Sequence, residues 1–149
     1  LSGVSNLSII DSDEVLLIKQ KDATFTPSDE IYQKAKNNKQ ITPWGYYKIL
    51  EKTNEQCVKE IFILKGQRTS LQVHKDRDEY WLITAGKARV EIDQEVSECR
   101  AGDSFTIHKE QAHRITNSSD TTLVLIEVQK GHHISETDIH RIEDDYGRS

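Results

Sequence analysis

Methionine is absent from this chain, and proline and cysteine each occur only twice in 149 residues. A sequence that lacks even an initiator methionine is expected to be a piece of a longer chain. The two cysteines, Cys57 and Cys99, are far apart and form no CxxC pair. That excludes a disulfide framework and a dithiol redox motif, and leaves buried, reduced thiols as the expectation. There are only seven glycines, none grouped into a loop that could cradle phosphate. No GxSxG elbow is present, and Cys57 has no histidine near it in sequence, so a serine or cysteine hydrolase is poorly supported.

Long apolar runs are missing too. The longest, such as Leu123 to Ile126, are far too short to cross a bilayer, and no signal peptide is visible. A cytoplasmic protein without a membrane partner is the expectation. Positive charge is also in deficit, with 20 Lys and Arg against 25 Asp and Glu and a net charge of −5. General affinity for nucleic acid is therefore not expected, and an anionic ligand would need a local basic patch. Repeats, low-complexity tracts and heptads are absent, and the length fits one core with a modest appendage.

What is present centres on Gly66 to Gly86, GQRTSLQVHKDRDEYWLITAG. Gln72 and His74 are two apart, so on a strand they share a face. Four residues then turn the chain, and Glu79 opens the returning strand. A second stretch, Gly102 to Asn117, supplies His113. One amide oxygen, one carboxylate and two imidazoles suit a borderline divalent ion such as zinc, manganese or iron.

From Tyr46 to Val128 the pattern predicts nine short strands: 46–50, 57–65, 69–74, 80–85, 87–93, 95–99, 104–107, 113–116 and 123–128. Ala88, Val90 and Ile92 alternate with Arg89 and Glu91, and Gly66, Gly86 and Gly102 fall at breaks where positive φ is easily adopted. An all-β jelly-roll barrel over residues 41–149 follows. Residues 1–40 read as a separate N-terminal β/α extension. Two strands, 7–11 and 15–18, precede a helix that opens at Pro27-Ser28-Asp29-Glu30.

These spacings resemble the two cupin motifs, with Gln72 in place of the first histidine. Shorter signatures, Thr42-Pro43-Trp44-Gly45, Ser70 to His74, His113 to Asn117, Ile126 to Gln129 and Ile142 to Arg148, resemble the type II mannose-6-phosphate isomerases. The resemblance implies a double-stranded β-helix and a metal-dependent isomerisation of mannose 6-phosphate and fructose 6-phosphate through an enediolate. It implies Gln72, His74, Glu79 and His113 as ligands of a divalent metal, zinc first, with manganese, cobalt, iron or nickel also compatible. In that family the cupin often follows a mannose-1-phosphate guanylyltransferase domain, and residues 6–18 resemble part of the segment that links the two.

Other residues take expected roles beside this set. The resemblance gives Arg114 to charge stabilisation, although simple alternation turns it away from His113. Asp76 continues the Gln72–His74 face and is a candidate base, with a solvated turn aspartate as the plainer reading. Lys75 and Arg77 are candidate phosphosugar contacts, and the terminal motif adds Tyr146 and Arg148. Where the family pattern carries two further histidines after His74, this chain has Lys75 and Asp76. Trp44 and Trp81 read as core or interface residues, and His132, His133 and His140 as surface. The extra N-terminal strands suggest a homodimer, since an uncovered sheet edge invites pairing. A non-catalytic cupin that binds a sugar phosphate or sugar nucleotide is the alternative function, and a metal-dependent cupin with another substrate is a third.

Overall fold

The computed structural model describes residues 39–148 and, as backbone, residues 7–12 and 15–20. Two units are distinct, residues 1–38 and 39–149. In the first, β1 (Leu7–Ser12) and β2 (Val15–Gln20) pair antiparallel as the expected hairpin, Ser12 opposite Val15. The helix expected from Pro27 lies outside the described residues.

The second unit is two antiparallel sheets. Six strands, in the order β10-β7-β12-β5-β4-β3, form one: β3 (Lys39–Thr42), β4 (Gly45–Lys52), β5 (Gln56–Ile63), β7 (Arg77–Ala85), β10 (Ser104–Ile107) and β12 (Leu123–Gly131). The other runs β13-β6-β11-β8-β9: β6 (Leu71–Val73), β8 (Lys87–Ile92), β9 (Glu95–Arg100), β11 (His113–Asn117) and β13 (His140–Glu143). Each of the nine expected strands falls on one of these. The two that composition does not announce, β3 and β13, are short polar edge strands that take their shape from β4 and β6.

Inward positions alternate as the pleat requires. Cys57, Lys59, Ile61 and Ile63 face inward on β5, Arg77, Glu79, Trp81 and Ile83 on β7, and Leu123, Leu125, Glu127 and Gln129 on β12. The apolar members of these rows join Ala88, Val90, Ile107 and Ile115 in one core. Both cysteines are free and buried within it or beside it. Gly66, Gly86 and Gly102 have φ of 71°, 90° and 99° at turns, as expected. At Gly131 the demand is space: an added Cβ would collide with the Asp76 carbonyl, where β12 runs alongside the start of β7. Among the described residues no helix is long and apolar enough to cross a membrane.

Candidate metal centre

Register brings the two motifs together. His113 lies opposite Gln72 across the β11–β6 pair, and the Glu110 N–H donates to the His74 carbonyl at 2.7 Å. The loop before His113 is pinned by Asp93, a turn residue at φ 55°, whose carboxylate accepts from the Ala112 N–H and the Gln111 amide, both at 3.0 Å. Glu79 sits inside β7, two residues beyond its start, because the pairing with β12 carries that strand back to Arg77 opposite Gly131.

His74, Glu79 and His113 are all buried, and one ligand atom from each lies within 4.8 Å of the others. Each imidazole is oriented by a backbone carbonyl. His74 Nδ1 bonds to Asp138 O at 2.5 Å, and His113 Nδ1 to Gln111 O at 2.9 Å. With Nδ1 as the donor, the neutral ring turns the lone pair of Nε2 inward, the arrangement that outer-shell carbonyls impose on metal-binding histidines. His74 Nε2 stands 3.1 Å from Glu79 Oε1, and His113 Nε2 stands 3.7 Å from Glu79 Oε2. His113 Nε2 has no hydrogen-bond partner although it is buried.

The bare lone pair of His113 Nε2 faces a carboxylate, and the two repel unless a cation lies between them. Ligand atoms about 2.0–2.2 Å from a tetrahedral zinc are about 3.4 Å from one another, a value that the 3.1 and 3.7 Å separations from Glu79 bracket. The residues therefore fit a metal: His74, Glu79 and His113 could hold one. Gln72 is less direct. Its oxygen accepts from the Ser70 hydroxyl at 2.8 Å, and its Nε2 faces His74 Nε2 at 3.4 Å. A half-turn of the amide would exchange these roles.

A cavity of about 190 Å³ opens beside the triad, lined among others by Gln72, Glu79, Glu127, Gln129, Arg141 and Arg148. Arg77 lines it too, buried, with Nε donating to Glu79 Oε1 at 2.9 Å. Trp81 Nε1 is shared between Glu79 Oε2 at 3.2 Å and Glu127 Oε2 at 3.1 Å. Gln129 Nε2 bridges the same two carboxyl groups, at 3.1 and 2.8 Å. Burial pushes the Glu79 carboxyl up, but the surrounding imidazoles of His74 and His113 and the Arg77 guanidinium hold it well below the usual range. Burial and the neighbouring Glu79 charge push Glu127 up to about 8. His113 is lowered, first by burial, which keeps its ring neutral.

Not every expected residue joins the cavity. Arg114 turns to the other face of β11, as alternation demands, and donates to the Glu143 carboxylate at 3.0 Å. Lys75 and Asp76 are exposed at the turn, held only by their backbone N–H groups, which donate to the Asp138 carboxylate at 2.9 and 3.1 Å. The Tyr146 hydroxyl bonds to Gln67 Oε1 at 2.8 Å and fastens the tail. Arg148 lines the cavity while paired to Asp144 at 2.5 Å. Trp44 and Trp81 are buried, and His132, His133 and His140 are exposed, as expected.

Residues that sequence reasoning missed include Glu127, Gln129, Lys59 and Asp138. Glu127 and Gln129 continue the Leu123–Leu125 row at intervals of two, so alternation could have found them. Lys59, 2.9 Å from Glu136 and 4.7 Å above the Tyr47 ring, continues the Ile61–Ile63 row in the same way. Asp138 acts through its backbone carbonyl and a turn, for which no periodic signal exists.

Residues 32–144 match the family described as Mannose-6-phosphate isomerase C-terminal. The alginate biosynthesis protein AlgA of Pseudomonas fluorescens is 32% identical over 155 aligned positions, covering 99% of this chain and 32% of that protein. The xanthan biosynthesis protein XanB of Xanthomonas campestris pv. campestris is 32% identical, with 99% and 33% covered. The mannose-1-phosphate guanylyltransferase ManC of Salmonella typhimurium is 30% identical, with 98% and 32% covered. The chain thus spans about a third of the length of these curated relatives. Among solved structures, a double-stranded β-helix protein of Klebsiella pneumoniae superposes with a TM-score of 0.58 at 20% identity, covering 65% of this chain and 83% of that one. An RmlC-like cupin of Shewanella frigidimarina gives 0.57 at 19%, with 66% and 84% covered. Those two likenesses establish the cupin fold, and the sequence match establishes the rest: the chain belongs to the mannose-6-phosphate isomerase C-terminal family.

Proposed function

We propose that this chain interconverts mannose 6-phosphate and fructose 6-phosphate, with a divalent ion held by His74, Glu79, His113 and the amide oxygen of Gln72. The observation that carries this reading is a buried set of inward lone pairs beside a cavity that also presents guanidinium groups and a second carboxyl group. An ion held there would supply Lewis acidity to the sugar oxygens at C1 and C2, and zinc suits the donor set.

The remaining roles fall to side chains that line the cavity. Arg141 and Arg148 anchor the phosphate, where paired N–H donors match its oxygens. Gln129 Oε1 and Thr42 Oγ1, buried without hydrogen-bond partners, accept from sugar hydroxyls. Glu127 replaces the exposed Asp76 as the proton carrier. It takes the C2 proton of the open-chain aldose and returns it to C1, while the hydroxyl proton on O2 passes to O1. Trp81 and Gln129 hold Glu127 in position for this. Arg114, bonded to Glu143, has no part in it. Lys75 and Asp76 are exposed, so their departure from the family pattern leaves the cavity wall unchanged.

The relatives include a protein named as a mannose-1-phosphate guanylyltransferase, which supports a place for this chain beside such a domain. A coupled assay with mannose 6-phosphate tests the function. Turnover should be abolished by chelator and restored by zinc or cobalt. Ligand-dependent thermal stabilisation without turnover would instead make the chain a sugar-phosphate binding module.

A further inference from the structure

Arg77 occupies the electron pairs that a metal would need. It is 3% exposed, on the inward face of β7 two residues before Glu79. Nε donates to Glu79 Oε1 at 2.9 Å, and the guanidinium NH2 lies 3.2 Å from His74 Nε2. Its NH1 group donates to the carbonyls of Ser135 and Asp138, both at 3.1 Å. Two of the three converging ligand groups therefore already face a cation that belongs to the chain. Only His113 Nε2 is left without a donor.

We propose that Arg77 is the resident cation of this site: it holds His74 and Glu79 in place when metal is absent, and a divalent ion displaces it into the adjoining cavity. The inference rests on the metal reading of the triad. An imidazole nitrogen has one lone pair, so His74 Nε2 cannot serve an arginine N–H and an ion together. Glu79 Oε1 already accepts from Arg77 and Gln129, which fills it in the same sense. A guanidinium left in contact with these ligands would also be repelled by a doubly charged ion in a poorly solvated interior.

The displaced group has somewhere to go. Arg77 already lines the cavity of about 190 Å³, together with Arg141 and Arg148. Released from Glu79, its guanidinium would meet an anion there beside the other two. Metal loading and the binding of a phosphate group are then coupled, and by linkage each tightens the other. Arg77 is in this sense a positioning residue for the ligands and a contact for the phosphate, in turn.

The test uses the 149-residue chain and its Arg77→Met variant, which keeps an unbranched stem and removes the charge. Zinc affinity is measured by chelator competition, with and without inorganic phosphate, and metal-free melting is recorded beside it. Arg77→Met should bind zinc about tenfold more tightly or better, within the range by which outer-shell partners change metal affinity. Its metal-free form should melt at a lower temperature. Phosphate should tighten zinc binding to the parent chain and leave the variant unaffected. Equal or weaker zinc binding by the variant overturns the proposal while the metal reading stands. If neither chain takes zinc, both fail. Should the variant not fold without metal, the Arg77 Nε–H resonance of the parent chain decides. It should be protected from solvent exchange in the metal-free protein and lose that protection on zinc loading; protection unchanged by zinc overturns the inference.

Discussion

The same strands build two unlike ends of one core. Along β7 the inward row runs Arg77, Glu79, Trp81, Ile83, and along β12 it runs Leu123, Leu125, Glu127, Gln129. Antiparallel pairing sets like against like, Gln129 opposite Glu79 and Leu125 opposite Ile83. On the next strand Lys59 lies opposite Glu127 and Ile63 opposite Leu123. One end is aliphatic and closely packed, while the other buries two carboxyl groups, a guanidinium, an ammonium and an imidazole pair. Burying charge is costly unless every group finds a partner. Stability resides at the aliphatic end, and the polar end carries the groups that could hold an ion.

That contrast can be broken at several points. Ile83 is fully buried at the aliphatic end and does not line the cavity. Ile83→Ala should cost about 2–5 kcal/mol of unfolding free energy through lost burial and the cavity it leaves. Chemical denaturation checks this, and zinc affinity of the folded fraction should be unchanged. A loss of zinc binding in step with stability would mean the two ends are not separable.

At the polar end, Trp81→Phe removes one of the two donor groups, the other being Gln129, that Glu79 and Glu127 share. Leaving buried acceptors with one donor fewer should cost about 1–3 kcal/mol in the metal-free protein. Zinc should recover part of that loss by engaging Glu79, which melting with and without metal would show. A smaller effect sharpens the picture at the rim, where Arg148 holds the Asp144 carboxyl down to about 2 from an ordinary 3.8. A carboxyl depressed on folding contributes stability that is fully present above its unfolded value and is lost as pH falls through the folded one. Asp144→Asn should therefore lower stability modestly at neutral pH and flatten its fall between about pH 4 and pH 2, where the two proteins converge. Urea midpoints across that interval measure it.

Much of this was legible in the sequence, for physical reasons. Strand alternation exposed the core rows, and glycine spacing marked the turns that set Gln72, His74, Glu79 and His113 on facing strands. The edge strands β3 and β13 were hidden because KQIT and HRIE carry almost no apolar signal; their form comes from their neighbours. Arg114 shows alternation outranking proximity, since standing next to His113 places it on the opposite face. Asp138 was out of reach because its carbonyl, not its side-chain type, orients His74. Arg77 was legible as basic and near the motif. That it turns inward onto Glu79 depends on β7 starting three residues earlier than the apolar run 80–85 shows.

The central claim is that the polar end of the barrel is a metal site built from His74, Glu79 and His113. Metal content after zinc loading and gel filtration tests it most directly, on the parent chain and on His74→Ala and His113→Ala. The account predicts one ion per chain in the parent and an empty site in each variant, because losing one of so few ligands leaves too few to hold the ion. Full occupancy in both variants would contradict it.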